Sequence, residues 1–334
     1  MSSGLRVFVT HNPEDLDAYY GRAVPELRNV VDVVTNPTDH DLSTAELIEA
    51  AVGCQVIVAH RATPGEGALF AGRPDLLAFL RTAVDVSTVD VDAASANGVL
   101  VARAGPAYVA STAEIALGLL LDVARGIGAS TNDYQRGVDP PQRPGFQLRG
   151  KTAGIIGYGL IGAHLAELLV AVGLDVLVAD PYVDVVPEPL RSVDLPTLLA
   201  GSDVVFPLAA STPETKNLID ADALAAMRPG ATLVNVSRGE LLDEVAVAAA
   251  LDSGQLGRLA MDVGRAPDQR PSPELAGRPG VVATPHLGGL TPENADAQAM
   301  SSVEQVTSLL AGELPPRAVN PDDANRLRQW WDRR

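Results

Sequence analysis

At 334 residues, with 46% hydrophobic and 20% charged side chains, the chain is too long for a single core and too apolar for disorder, so two globular domains are expected. Its 42 acidic residues outnumber 25 basic ones, giving a net charge of -17, and such a surface repels phosphate backbones and anionic headgroups. Nucleic acid and membrane are excluded as partners on that ground, the membrane also because no uncharged stretch reaches spanning length. The single cysteine, Cys54, rules out a disulfide framework and is expected as a small buried hydrophobe beside the apolar run that follows it. The first residues show no signal-peptide pattern, so a cytoplasmic protein is expected.

The first hundred residues alternate short β-branched runs with polar or helical segments. Leu5-Arg-Val-Phe-Val, Val31-Asp-Val-Val, Val56-Ile-Val-Ala and Val99-Leu-Val-Ala read as strands of a parallel α/β sheet. An apolar-periodic helix is predicted from about Ser111 to Arg125, opened by cap-type residues and placed as a crossover between domains. From Asn132 to Gly150 the chain is rich in Pro, Gly, Gln and Arg and reads as a surface loop. A second α/β series runs from Lys151 to about His286, with strands at Ala153-Gly-Ile-Ile, Asp175-Val-Leu-Val-Ala, Asp203-Val-Val-Phe and Thr232-Leu-Val-Asn-Val. The last residues form a short helix whose Trp330 and Trp331 are expected to pack locally.

In the second series, Gly157-Tyr-Gly-Leu-Ile-Gly162 follows an apolar strand and opens a helix. The first glycine permits a tight turn, the second lets the backbone approach a pyrophosphate, and the third lets helix and strand pack closely. The helix N-terminus supplies the positive field. A strand ending at Asp180 follows, where a carboxylate accepts hydrogen bonds from adenosine ribose hydroxyls. That carboxylate repels a 2′-phosphate, and Pro181-Tyr182 brings no compensating cation, so NAD is the expected cofactor. No ATP-type glycine loop with Lys and Ser or Thr is present, which disfavours nucleotide hydrolysis.

The sequence resembles the D-2-hydroxyacid dehydrogenase family across nearly its whole length. The blocks that carry the likeness are the glycine fingerprint with Asp180-Pro-Tyr, Thr212-Pro-Glu-Thr215, Met227-Arg-Pro-Gly, Val234-Asn-Val-Ser-Arg-Gly-Glu240, Met261-Asp-Val, and Thr284-Pro-His-Leu-Gly-Gly289. The resemblance implies two Rossmann-like or flavodoxin-like α/β domains with parallel sheets. A cofactor domain, 105–289, is inserted into a discontinuous substrate domain, 1–104 and 290–334, with a cleft between them and a homodimer built on the cofactor domains. It implies a small 2-oxo or 2-hydroxy acid as the substrate. It puts the substrate-binding arginine on Arg238, whose fork can grip a carboxylate and polarise a carbonyl. It puts the acid/base histidine on His286, which gives a proton to the nascent alkoxide in reduction and removes it in oxidation. Leu160, Ile161, Thr212, Val236 and Gly289 are expected to line the cofactor. Asp262 is assigned to the nicotinamide ribose and carboxamide, its other reading being a strand-end turn carboxylate. Arg61, in His60-Arg61, is a candidate substrate contact.

The pattern breaks in three places. Where the family has a Glu that orients the histidine, five residues after Asp262, this chain has Pro267. Asp268 is the nearest carboxylate, either aimed at His286 by a Pro-Asp turn or simply solvated in a loop. With no carboxylate on the histidine, reduction is expected to favour acidic pH. Ala83 and Asp85 stand where the family offers a Gly-x-Gly loop to the substrate carboxylate, and Asp85 is expected either to engage a substrate hydroxyl or amine or to point away. The usual Pro-Gly of the next loop is inverted, as Gly105-Pro106. Two other readings compete: a binding protein that senses NAD(H) on the same fold, favoured by the missing Glu, and a formate- or phosphite-type dehydrogenase.

Overall fold

The structure is a computed structural model that describes residues 4–142 and 144–334. The chain divides into two compact units, one made of Met1–Ala107 with Pro292–Arg334, the other of Tyr108–Thr291. The second is thus inserted in the sequence of the first.

The first unit carries, among the described residues, a five-stranded sheet of β1 (Arg6–Val9), β2 (Asp32–Thr35), β3 (Val56–Ala59), β4 (Ala78–Arg81) and β5 (Leu100–Arg103). The order is β2-β1-β3-β4-β5 and every pairing is parallel. Neighbouring residues of a strand point to opposite faces. Val7, Val9, Val56, Val58 and Leu80 therefore face a core with Leu27, Val306, Leu309 and Leu327, while Phe8, Ile57 and Phe79 face another with Leu47, Leu69 and Phe70. All residues of β3 and β4 are buried, which is why these runs are continuously apolar rather than alternating. The sequence reading had no strand at β4, because the run Leu76-Leu77-Ala78-Phe79-Leu80 has no period that separates strand from buried helix.

The second unit carries a seven-stranded parallel sheet: β6 (Thr152–Ile156), β7 (Asp175–Ala179), β8 (Arg191–Ser192), β9 (Val204–Pro207), β10 (Ala231–Asn235), β11 (Leu256–Met261) and β12 (Val281–Ala283). Its order is β12-β11-β10-β9-β6-β7-β8. Aspartates cap the helices between strands, with Asp194, Asp220 and Asp243 each accepting from a backbone N–H of the first turn. The helix Val109–Arg125 lies wholly in this unit, so it is an element of the second core rather than a crossover between units. Its Ala116, Leu119, Leu120 and Val123 pack in one cluster with Leu165, Ala166 and Leu169 of the helix Leu160–Ala171. A further helix, Ile127–Gln135, shortens the expected loop from its start.

At the C-terminus Trp331 donates its indole N–H to the Leu309 carbonyl at 2.8 Å, and both tryptophans pack on the first unit's core. Cys54 is buried. No helix of the described residues is long and apolar enough to cross a membrane.

Candidate active site

In an open parallel sheet a ligand is received beyond the carboxyl ends of the strands, where consecutive strands diverge to opposite sides. In the second unit that point is β6, which lies between β7 and β9. Gly157 leaves β6 with φ +96°, and a Cβ there would lie 2.7 Å from the Ala209 nitrogen, so both conformation and space demand glycine. Gly159 caps the helix Leu160–Ala171 without a side-chain cap, and an added Cβ would meet nothing within 4 Å. Open space thus lies over unpaired helix N–H groups, which fits a pyrophosphate. A Cβ on Gly162 would be 2.3 Å from the Gly157 carbonyl oxygen, so this glycine lets the helix seat against the loop.

Asp180 follows β7. Its carboxylate accepts the N–H of Tyr158 at 2.7 Å and of Tyr182 at 2.8 Å, tying itself to the glycine loop and leaving lone pairs for a ribose. Leu160 and Tyr182 are exposed beside it, and Ile161 is half-buried. Thr212 belongs to a tight turn in which its N–H donates to Thr215 Oγ1 at 2.8 Å and Thr215 Oγ1 donates to the Ala210 carbonyl at 2.6 Å. Val236 packs its side chain into the core, so only its backbone can face a ligand.

The chemical residues follow β10, β11 and β12 at the same carboxyl edge. Arg238 is exposed, with Nη1 donating to the Ser237 carbonyl at 2.8 Å. Its backbone is pinned from below: Asn235, fully buried, donates to the Arg238 carbonyl at 2.9 Å and accepts from the Ser237 N–H at 3.1 Å. Beyond it Arg265 donates to the carbonyls of Leu242 at 2.6 Å, Glu240 at 3.2 Å and Gly239 at 3.4 Å, and to the Asn217 side chain. Neither Asn235 nor Arg265 was singled out from sequence. A polar residue at the very end of an apolar strand was the only signal for Asn235, and nothing local marks Arg265.

Asp262 follows β11 and is 1% exposed. Its carboxylate accepts Thr284 Oγ1 at 2.6 Å and the N–H groups of Leu287 at 2.7 Å and Gly288 at 2.8 Å, while its carbonyl accepts the His286 N–H at 2.9 Å. Three of the carboxylate's acceptor sites thus hold the turn that carries the histidine, the strand-end turn role, and one site on Oδ2 remains for a ligand.

His286 is half-buried, follows β12 and has φ +61°. Its Nδ1 lies 2.9 Å from the carbonyl oxygen of Asp268. The carboxylate of Asp268 is 74% exposed and its nearest cation is Arg270 at 3.9 Å. Of the two readings of Asp268, the structure has the solvated loop side chain: the left-handed backbone turns the carbonyl to the ring and the carboxylate to solvent. Gly289 follows at the end of this turn.

Arg61 and Asp85 belong to the first unit, where β1 separates β2 from β3 and marks the corresponding carboxyl edge. Arg61 is exposed just beyond β3. The Asp85 carboxylate accepts Ser87 Oγ at 2.6 Å and the Ser87 N–H at 3.1 Å. Those bonds tie the side chain into its own loop. Arg81, 3% exposed and not anticipated, donates to the carbonyls of Asp85 at 2.6 Å, Arg61, and His60 and Thr63 at 3.4 Å, joining the two loops that carry the candidates. Burial holds its pKa below the ordinary arginine value.

His60 is 8% exposed, with Nδ1 3.8 Å from an Asp15 carboxylate oxygen and 3.7 Å from one of Asp41. Burial lowers its pKa, opposed by those two carboxylates. His11, fully buried and stacked on Tyr20 at 3.8 Å between centroids, is held well below the ordinary imidazole range, by burial first and then by His60.

Residues 117–288 match the sequence model of the D-isomer specific 2-hydroxyacid dehydrogenase NAD-binding domain. The chain belongs to that family. Its second unit is therefore a domain that binds NAD, and the glycine loop, open helix terminus and Asp180 are the features that fit the dinucleotide. The chain is 37% identical over 287 residues to a D-3-phosphoglycerate dehydrogenase of Mycobacterium leprae, a match covering 83% of this chain and 53% of that one. It thus spans about half the length of that relative. It is 32% identical over 293 residues to an (S)-sulfolactate dehydrogenase of Chromohalobacter salexigens, covering 86% of this chain and 94% of the other. The solved D-lactate dehydrogenase of Escherichia coli superposes with a TM-score of 0.78 at 26% identity, covering 94% of this chain and 100% of that one.

Proposed function

We propose that this chain is an NAD-dependent oxidoreductase interconverting a small 2-oxo acid and the corresponding D-2-hydroxy acid. The observation that carries the reading is the sharing of one sheet edge. The glycine loop after β6, Arg238 after β10 and His286 after β12 all leave the carboxyl ends of the same parallel sheet. NADH, when bound, supplies a hydride to the carbonyl carbon. Arg238 grips the carboxylate and the carbonyl oxygen, drawing electron density toward that oxygen. His286 gives its proton to the oxygen as it becomes an alkoxide, so one 2-oxo acid, one NADH and one proton yield one hydroxy acid and NAD. The test is NADH absorbance with a panel of 2-oxo acids in the reductive direction, and with formate or phosphite plus NAD in the oxidative one. Turnover lost in His286→Ala and in Arg238→Ala supports the reading.

A second reading, an NAD(H)-sensing binding protein, draws on Pro267 in place of the family's Glu. Tight NADH binding with no turnover of any panel member selects it. We further propose a cytoplasmic homodimer, supported by exposed Leu121, Ile127 and Tyr134 on the second unit. Sedimentation at micromolar concentration checks the assembly, a monomer counting against it.

A further inference from the structure

We propose that the peptide carbonyl of Asp268, presented by a proline-started left-handed turn, is the positioning partner of His286 and leaves Nε2 as its proton-exchanging atom. The proposal rests on the acid/base reading above and deepens it, because it states how a chain without the orienting glutamate still fixes its histidine.

A carbonyl oxygen has lone pairs and no proton, so a ring nitrogen 2.9 Å from it must be the donor. Nδ1 therefore carries a hydrogen whether the ring is neutral or charged, and only Nε2 is free to gain or lose one. Orientation is achieved without placing a negative charge beside the imidazolium.

The turn is built for this. Pro267 fixes the first φ, and Asp268 and Gln269 then take φ of 59° and 56°, two successive non-glycine residues in the left-handed region. His286 is itself left-handed at 61°. Sparsely populated conformations persist only where surrounding bonds over-determine them. Here the turn is closed by Gly264 N–H on the Gln269 carbonyl at 2.8 Å and Ala266 N–H on the Arg270 carbonyl at 3.0 Å. The histidine is braced independently by Asp262 through the N–H groups of residues 286, 287 and 288. Proline at the glutamate's position is thus an exchange of one device for another: a rigid backbone delivers the acceptor one residue later.

The test uses the full chain labelled with 15N-histidine, with His286 assigned by its loss in His286→Gln. Long-range proton–nitrogen spectra above the ring's titration report the tautomer. The expected result is Nδ1–H for wild type and for Asp268→Asn, which removes the carboxylate, keeps the carbonyl and tolerates the left-handed region. In Pro267→Gly the Nδ1–H population falls, and kcat drops by roughly tenfold or more while NADH affinity holds. An Nε2–H tautomer in wild type overturns the proposal, and so does loss of Nδ1–H in Asp268→Asn, which would return the role to the side chain. An unchanged tautomer in Pro267→Gly removes the turn from the argument. If no 2-oxo acid is reduced, the enzyme reading fails while the tautomer still decides this one.

Discussion

Replacing Asp262 with alanine isolates the carboxylate that holds the histidine turn. It removes acceptors from Thr284 Oγ1, Leu287 N–H and Gly288 N–H at a site 1% exposed. A hydrogen bond to a charged group contributes about 1.5–3 kcal/mol, and a buried donor left without a partner costs about 1–3 kcal/mol. The three bonds share one carboxylate and are not additive, and the neighbouring residues 286 and 287 sit near the surface where water can replace part of the loss. We therefore expect about 3–5 kcal/mol, within the range for breaking a buried charged network. Global unfolding is a poor readout in a chain of two units, where two-state behaviour is not assured. Amide hydrogen exchange is local and suits the question. Protection of Leu287 and Gly288 should fall by at least roughly a hundredfold, at 1.4 kcal/mol per factor of ten, with Asp262→Asn intermediate because it keeps one acceptor. Wild-type protection at these amides in Asp262→Ala would refute the assignment of this carboxylate to the turn.

Gly159→Ala should leave thermal stability unchanged, since its Cβ meets nothing within 4 Å, yet weaken NADH binding about tenfold or more by occupying the space over the helix terminus; a thermal melt checks the first and calorimetric titration the second. Gly162→Ala should lose stability and NADH affinity together, because its Cβ collides with the Gly157 carbonyl at 2.3 Å; a wild-type melting temperature would contradict this. Stability of the first unit should depend on pH through His11 and His60, whose folded pKa values lie below the unfolded value of about 6.5. Above that value both states are neutral and the stability is fully present. As pH falls below it the unfolded chain binds protons the folded one refuses, and stability drops by up to about 1.4 kcal/mol per pH unit per histidine. Urea midpoints followed by the fluorescence of Trp330 and Trp331 should show a shallower slope in His11→Gln, and equal slopes would count against burial as the cause. Tyr20→Phe removes a fully buried hydroxyl bonded to Ser302 Oγ at 2.5 Å and should cost about 1 kcal/mol, read from the same midpoints.

What the sequence by itself determined is what short stretches encode. Runs such as Val56–Ala59 and Asp175–Ala179 announce parallel strands because both faces are buried, and the spacing of Gly157, Gly159 and Gly162 between a strand and a helix announces a dinucleotide turn, although the Ala209 backbone that crowds Gly157 is visible only in the fold. Arg238 and His286 were legible as candidates through ordered blocks, each a strand end followed by its loop. Whatever depended on a partner far along the chain stayed hidden. Asp262 is a candidate by its motif, but only folding shows its oxygens holding residues more than twenty positions later. Asp268 was legible as a nearby carboxylate, while its φ of 59° makes the carbonyl the group that reaches His286. Arg81 and Arg265 lie in stretches that give no sign of the carbonyls they gather. Strand propensity and turn sterics act within a few residues, whereas a hydrogen bond's partner is chosen by where the whole chain brings its donors and acceptors together, and that was decided only in three dimensions.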